Sequence, residues 1–218
     1  MRECDETMEK RKRSCWSGTV ILANGEFPKR GGAGWKLLAD AAQVVCCDGS
    51  AAAYRRRFGR WPTAVVGDLD SLGRAAEVAA RDGAVVVRIA DQETNDLEKA
   101  IGYCESRGWR SPVIVGATGK REDHTLGNVF RALERGLEIV TDCGRFVPVC
   151  GCRTLHLAKG AGVSVFAPDP RTQMTSRGLQ WPLDGVRFRN LHCATLNRAT
   201  AATVVLTSTQ PVYAYIET

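Results

Sequence analysis

From Gly18 to about Thr141, short apolar runs alternate with stretches whose apolar residues recur every three or four positions. "TVILAN" (19–24), "QVVCCD" (43–48), "TAVVGD" (63–68), "AVVVRI" (84–89), "SPVIVGA" (111–117) and "LEIVTD" (137–142) are nearly unbroken apolar segments rich in β-branched residues. Such runs fit strands buried on both faces. Between them, 32–41, 50–59, 75–80, 96–107 and 125–135 carry helical spacing. Strand and helix in alternation predict a mostly parallel sheet covered by helices.

After Cys143 the helical pattern stops. "RFVPV", "RTLHLA", "GVSVFAP", "GVRFRN", "ATVVLT" and "VYAYIE" are short, alternating, and separated by Gly, Pro, Asp and Asn. They predict a small antiparallel β-sandwich or barrel. The expected fold class is therefore α/β: a mostly parallel α/β sandwich domain over 17–142, then a small all-β domain over 143–218. Residues 1–16 are expected to form a flexible tail.

Composition narrows the classes. The chain has 218 residues, 44% hydrophobic and 25% charged, which suits a globular protein with ample core. No apolar run approaches the roughly 20 residues of a membrane span, so no membrane partner is expected. The N-terminal "MRECDETMEKRKRSC" lacks the apolar segment of a secretory signal. Acidic neighbours nearly cancel its "KRKR", and a net charge of +6 favours anionic ligands without implying nucleic acid. Nine cysteines are an odd number for a disulfide framework. Cys46 and Cys47 read as small buried hydrophobes. Cys150 and Cys152 have no second CxxC or His cluster to complete a zinc site. All nine are expected as reduced thiols in a cytoplasmic protein.

The polar residues at the strand ends carry the chemistry. In parallel α/β sheets, ligands bind beyond the carboxyl ends of the strands. Those ends read Asn24-Gly25, Asp48-Gly49, Gly67-Asp68 and Gly116-Ala117-Thr118-Gly119, and Asp91 follows the fourth strand and opens a helix whose first turn contains Asp96. Any one Asp reads equally as a turn former or helix cap. Asp48, Asp68, Asp70 and Asp96 together at one sheet edge read instead as a site. Clustered carboxylates repel unless a cation joins them, and hard oxygen donors suit Mg2+ with substrate phosphates.

The second signal is "GATGKREDHTLGN" (116–128). A glycine-rich turn between strand and helix offers backbone N–H groups to phosphate, although the Walker A spacing is absent. Lys120 and Arg121 supply positive charge, and Asp123, His124 and Asn128 supply hydrogen-bonding edges. His124 reads either as part of an anion or nucleotide loop or as a structural histidine.

"ILANGEFP", "CDGSA", "VGDLDSL", "DQETNDLEKAI" and the 116–128 segment, in this order, resemble the thiamine pyrophosphokinase family. "GVSVFAP", "TSRGLQWPL" and "TLNRA" resemble its thiamine-binding β domain. The resemblance runs from about residue 18 to the end. It implies a homodimeric enzyme with active sites shared between subunits. Such an enzyme moves the β,γ-pyrophosphoryl group of ATP to the hydroxyl of thiamine, giving thiamine diphosphate and AMP. It implies Mg2+ and ATP, with Asp68, Asp70 and Asp96 as catalytic and metal-site carboxylates. Asn24, Gly25, Asp48, Gly49, Thr118, Gly119, Arg121, Asp123, His124 and Asn128 would line the ATP site. Gln92, Trp181, Thr195 and Asn197 would serve thiamine. The sequence departs from the usual pattern at Asn95, Lys120 and Leu196, the last replacing a serine beside the vitamin. Either Asp68 or Asp96 is positioned by this reading to accept the hydroxyl proton. Trp181 reads as a stacking platform or as a core aromatic beside Pro182. Leu196 keeps open a Mg-dependent phosphotransferase for another alcohol, and a non-catalytic nucleotide sensor is the other alternative.

Overall fold

The computed structural model describes residues 18–218 except 71 and 92. The expected tail over 1–16 lies outside the described residues. Two compact units emerge: one runs to Arg131 and takes up Ile139–Asp142, the other joins Ala132–Glu138 to Cys143–Thr218.

The first unit is built on six strands: β1 (Thr19–Leu22), β2 (Gln43–Cys47), β3 (Ala64–Gly67), β4 (Val85–Arg88), β5 (Val113–Val115) and β6 (Ile139–Val140). They lie in the order β6-β5-β1-β2-β3-β4, and every pairing is parallel. β1 and β3 are buried along their whole length, as the unbroken apolar runs require, while β4 closes the edge and is partly exposed. Helices α1 (Ala33–Asp40), α2 (Ser50–Phe58), α3 (Arg74–Arg81), α4 (Asp96–Ser106) and α5 (Glu122–Glu134) intervene. Helix α4 starts where Asn95 accepts the Glu98 N–H at 2.9 Å, with Asp96 and Glu98 in the favourable first turn. Helix α2 stops at Gly59, whose φ of 69° returns its N–H to Arg55. Helix α5 begins three residues earlier than its apolar spacing indicates and so takes in Asp123 and His124. Polar first turns carry no hydrophobic period, which hid it.

The strand order reverses between β1 and β5. The chain proceeds from β1 outward to β4, then returns to lay β5 and β6 on the other side of β1. At such a switch point the connections leave the two carboxyl ends in opposite directions and a crevice opens.

The second unit is antiparallel. β7 (Gly144–His156) and β11 (Thr203–Glu217) pair along nearly their whole length. The other edge of β11 takes β8 (Gly162–Phe166) at Tyr213–Ile216 and β9 (Met174–Arg177) at Val205–Ser208. β10 (Ala194–Arg198) pairs with β8, and a bridge between Leu179 and Ala199 ties the segment after β9 to the one after β10. The pairings thus return on themselves around a core that includes Val147, Val163, Leu206 and Ile216. Within this unit the buried Tyr213 hydroxyl donates to the Leu137 carbonyl at 2.6 Å, and burial raises its pKa.

Four expected strands here become two. "RFVPV" with "RTLHLA" forms β7, and "ATVVLT" with "VYAYIE" forms β11. The pairing shifts register between Ser208 and Val212, the stretch that contains Pro211. A proline has no N–H for the ladder, so the strand continues through an irregularity instead of ending. "GVRFRN" is no strand: its alternation reflects the buried Phe188 and the partly buried Val186, which pack against the core from a loop, while Arg187 and Arg189 are exposed. Among the described residues no cysteine forms a disulfide, and no helix is long and apolar enough to cross a membrane.

Candidate active site

A cleft of about 440 Å3 opens at the carboxyl ends of the parallel strands. Its two sides have opposite charge.

One side is made by the loops after β1 and β5. Main-chain hydrogen bonding continues past the strands: Ala23 N–H donates to Val115 O (2.9 Å), Gly25 to Gly116 O (2.7 Å) and Glu26 to Thr118 O (2.8 Å). Gly25 has to be glycine, because a Cβ there would overlap both the Gly116 and Thr118 carbonyl oxygens. Gly116 (φ 64°), Gly119 (φ 76°) and Lys120 (φ 62°) bend the second loop back on itself. Lys120 Nζ then reaches the Asn24 carbonyl at 3.0 Å and its side-chain oxygen at 3.4 Å. Asn128, in the second turn of α5, donates to Ala117 O at 2.9 Å and fixes the helix against the loop. Arg121 is forked onto Asp123 (Nε–Oδ1 3.1 Å, Nη2–Oδ2 2.6 Å), which holds the Asp123 carboxyl low, at about 2. Both groups are exposed, so the pair rearranges at little cost when a stronger anion arrives.

The other side is acidic. β3 ends in Gly67, where a Cβ would lie 2.9 Å from the Asp48 Cβ and 3.4 Å from Asp96 Oδ1. That glycine lets side chains from three elements close in. Asp48 is buried at the end of β2, with φ 28°. Asp68 lines the cleft, and its Oδ1 accepts the Asp70 N–H at 3.1 Å in a turn that carries Leu69 at φ 68°. Asp96 is the first residue of α4, and its half-buried carboxyl has a raised pKa. Burial is the main cause; the Lys99 ammonium, 3.4 Å away, pulls it down, and the Asp68 and Asp48 charges push it up. The carboxylates therefore feel one another across the cleft floor. Among the described residues, no three His, Cys, Asp or Glu side chains stand close enough to hold a metal ion by themselves.

Not every expected residue faces the cavity. Asn24, Gly25, Asp68, Asp96, Gly119, Arg121, His124 and Asn128 line it; Asp48, Gly49, Asp70, Thr118 and Asp123 do not. Gln92 lies outside the described residues. Thr94, Asn95 and Lys99 line the cleft without having been singled out for it. Lys99 is the notable omission, a nearly buried ammonium one turn after Asp96. The spacing of three on a helix was the available signal.

The second unit holds the other three. Trp181 is 53% exposed. Asn197 is buried and turned inward, its Oδ1 accepting Trp181 N–H (3.1 Å) and Arg198 N–H (2.8 Å) while its Nδ2 donates to Trp181 O (2.6 Å). Thr195 Oγ1 donates to His192 O at 3.0 Å. Between them Leu196 stands 83% exposed at φ 62°, held by its N–H to Ser164 Oγ.

Residues 35–141 match the family model described as thiamin pyrophosphokinase, catalytic domain, and residues 144–215 the one described as thiamin pyrophosphokinase, substrate-binding domain. Together the two take in most of the chain. Among solved structures, the chain is similar to a thiamin pyrophosphokinase family protein from Enterococcus faecalis: 17% identity, TM-score 0.75, covering 92% of this chain and 98% of that one. It is similar to a thiamin pyrophosphokinase from Candida albicans at 14% identity and TM-score 0.75, covering 91% and 88%. A protein from Lactobacillus plantarum follows at 23% identity and TM-score 0.72, covering 92% and 97%. At these identities the likeness is one of fold. Comparison with curated protein sequences finds no match.

Proposed function

The chain belongs to the thiamin pyrophosphokinase family, whose members are transferases that make thiamine diphosphate from thiamine, and from that premise we propose how its own residues divide the work. The reading rests on one observation: a cleft at the sheet's switch point with a cationic, amide-rich wall facing carboxylates.

ATP lies in this cleft with its phosphates along residues 116–120, where backbone N–H groups, Lys120 and Arg121 offset their charge. The acidic side fits Mg2+, which is commonly held by one or two carboxylates together with substrate phosphates. Asp68 and Asp96 line the cleft and would hold it, with Asp70 an outer carboxylate tied to Asp68 through its own amide. Bound there, the ion supplies charge compensation and orientation for the triphosphate. Lys99 steadies Asp96 from beneath.

The thiamine hydroxyl oxygen attacks the β-phosphorus and bonds to it, the bond from the β-phosphorus to the α,β-bridging oxygen breaks, and AMP leaves with that oxygen on its α-phosphate. The hydroxyl proton passes to Asp68 or Asp96. Such transfers depend mainly on positioning and electrostatics, so no strong base is required. Trp181 offers its ring to the cationic vitamin, a contact worth about 0.5–2 kcal/mol. Asn197 acts through Trp181, fixing the backbone that carries the ring, and Thr195 shapes the adjoining turn. The working enzyme in this reading is a cytoplasmic homodimer whose subunits share active sites, as the family resemblance implies.

The test is incubation with ATP, Mg2+ and thiamine, followed by mass spectrometry. Thiamine diphosphate and AMP in equal amounts are expected. ADP with thiamine monophosphate, or no thiamine product, would overturn the assignment.

A further inference from the structure

The second unit contains a larger cavity, of about 770 Å3, that shares no residue with the cleft of the first unit. Its charged lining residues are all cationic: Arg171, Arg187 and Arg189. We propose that this cavity binds a small molecule through a phosphate or diphosphate group.

Phe188 is 2% exposed and anchored in the core of the unit, while its neighbours Arg187 and Arg189 are exposed. The Arg189 N–H donates to the Arg187 carbonyl at 2.9 Å, closing a three-residue turn around Phe188. Anchor and turn together clip two guanidinium-bearing residues side by side. Among the described residues neither has an acidic partner. Of the nearby carboxylates, Asp169 is forked onto Arg171 (2.7 Å at the shortest) and Asp184 accepts the Ser176 N–H. Two cationic residues on one short turn give the cavity wall a positive potential that an anion would offset.

The rest of the cavity suits such a ligand. Thr175 and Thr207 are direct cross-strand partners on the β9–β11 ladder and bring hydroxyls to the wall. Guanidinium forks match phosphate oxygens two at a time, and hydroxyls complete the shell. The volume lies within the range of small-molecule sites. The inference does not depend on the reading of the first unit's cleft.

The probe is inorganic pyrophosphate, titrated calorimetrically without Mg2+ into the full-length chain carrying K120A/R121A, which strips the cleft of its loop cations. One pyrophosphate per chain is expected, with affinity falling tenfold or more on adding R187S/R189S. Thr207→Glu, which places a carboxylate in the wall, should weaken it similarly and guards against a folding defect in the arginine variant; circular dichroism melts confirm the fold of each. Absence of binding, or binding that R187S/R189S and Thr207→Glu both leave unchanged, overturns the proposal.

Discussion

Replacing Asn197 by alanine separates what the residue does for the fold from what it does for the substrate. The alanine removes three hydrogen bonds: from Trp181 N–H, from Arg198 N–H, and to Trp181 O. At a net value of about 1 kcal/mol each, the loss is roughly 3 kcal/mol, rising where a partner stays buried and unsatisfied. The damage stays local. Gln180 N–H still bonds Arg198 O, and Leu183 N–H still bonds Ser176 Oγ, so only Trp181 and Pro182 are released. A ring that must be reordered on binding forfeits about 0.5–1.5 kcal/mol. The KM for thiamine should therefore rise roughly 2- to 13-fold, with the KM for ATP unchanged. Initial rates of AMP formation at varied thiamine, on protein checked by urea denaturation, measure both effects. Asn197→Asp keeps the two acceptor bonds and should fall between wild type and alanine. A stability loss of the expected size with an unaltered thiamine KM would refute the positioning role and leave Asn197 as a core residue alone.

Other substitutions test other links. Gly25→Ala forces the loops after β1 and β5 apart, breaking two main-chain bonds and overpacking the wall, for about 2–5 kcal/mol by urea denaturation and a raised KM for ATP; a cost below about 1 kcal/mol would contradict the close approach. In metal-free protein, the raised pKa of Asp96 means the folded state binds its proton more readily than the unfolded chain does. Its contribution to stability therefore improves as pH falls through the window between the unfolded and folded values. Asp96→Asn should flatten that dependence and raise Tm at neutral pH while abolishing AMP formation; a lower Tm there would reverse the sign. Leu196→Asn relieves a left-handed backbone angle that costs a leucine about 1–2 kcal/mol, so Tm should rise by a few degrees, and no rise would argue that the exposed leucine is packed against a partner.

The parallel sheet was legible because strands such as "TVIL" are apolar throughout, a pattern that only double-sided burial explains. The strand-end carboxylates and the "GATGK" loop were legible for a related reason, since polar residues directly after such strands have one place to go. What the sequence concealed was set by contacts between distant residues. The i, i+3 spacing allows Lys99 to meet Asp96 but does not tell that the ammonium is buried, and nothing in the chain marks that Asn197 turns inward to grip Trp181 across 16 residues. β9 and β10 escaped notice because "MTSR" and "ATLNR" have little apolar character and pair by position. "GVRFRN" misled in the opposite sense: its alternation is that of a strand, yet Val186 and Phe188 reach the core from a loop that pairs with no strand.

The backbone stitching beyond β1 and β5 has a wider implication. Ligand-holding loops usually belong to the least stable part of a protein and open independently of the rest. Here the amides of Ala23, Gly25 and Glu26 extend the sheet's own ladder into the surface that would meet phosphate. On the proposed reading, nucleotide grip and global folding should melt as one cooperative block, so a chain warmed toward denaturation should keep its hold on ATP until the sheet itself gives way.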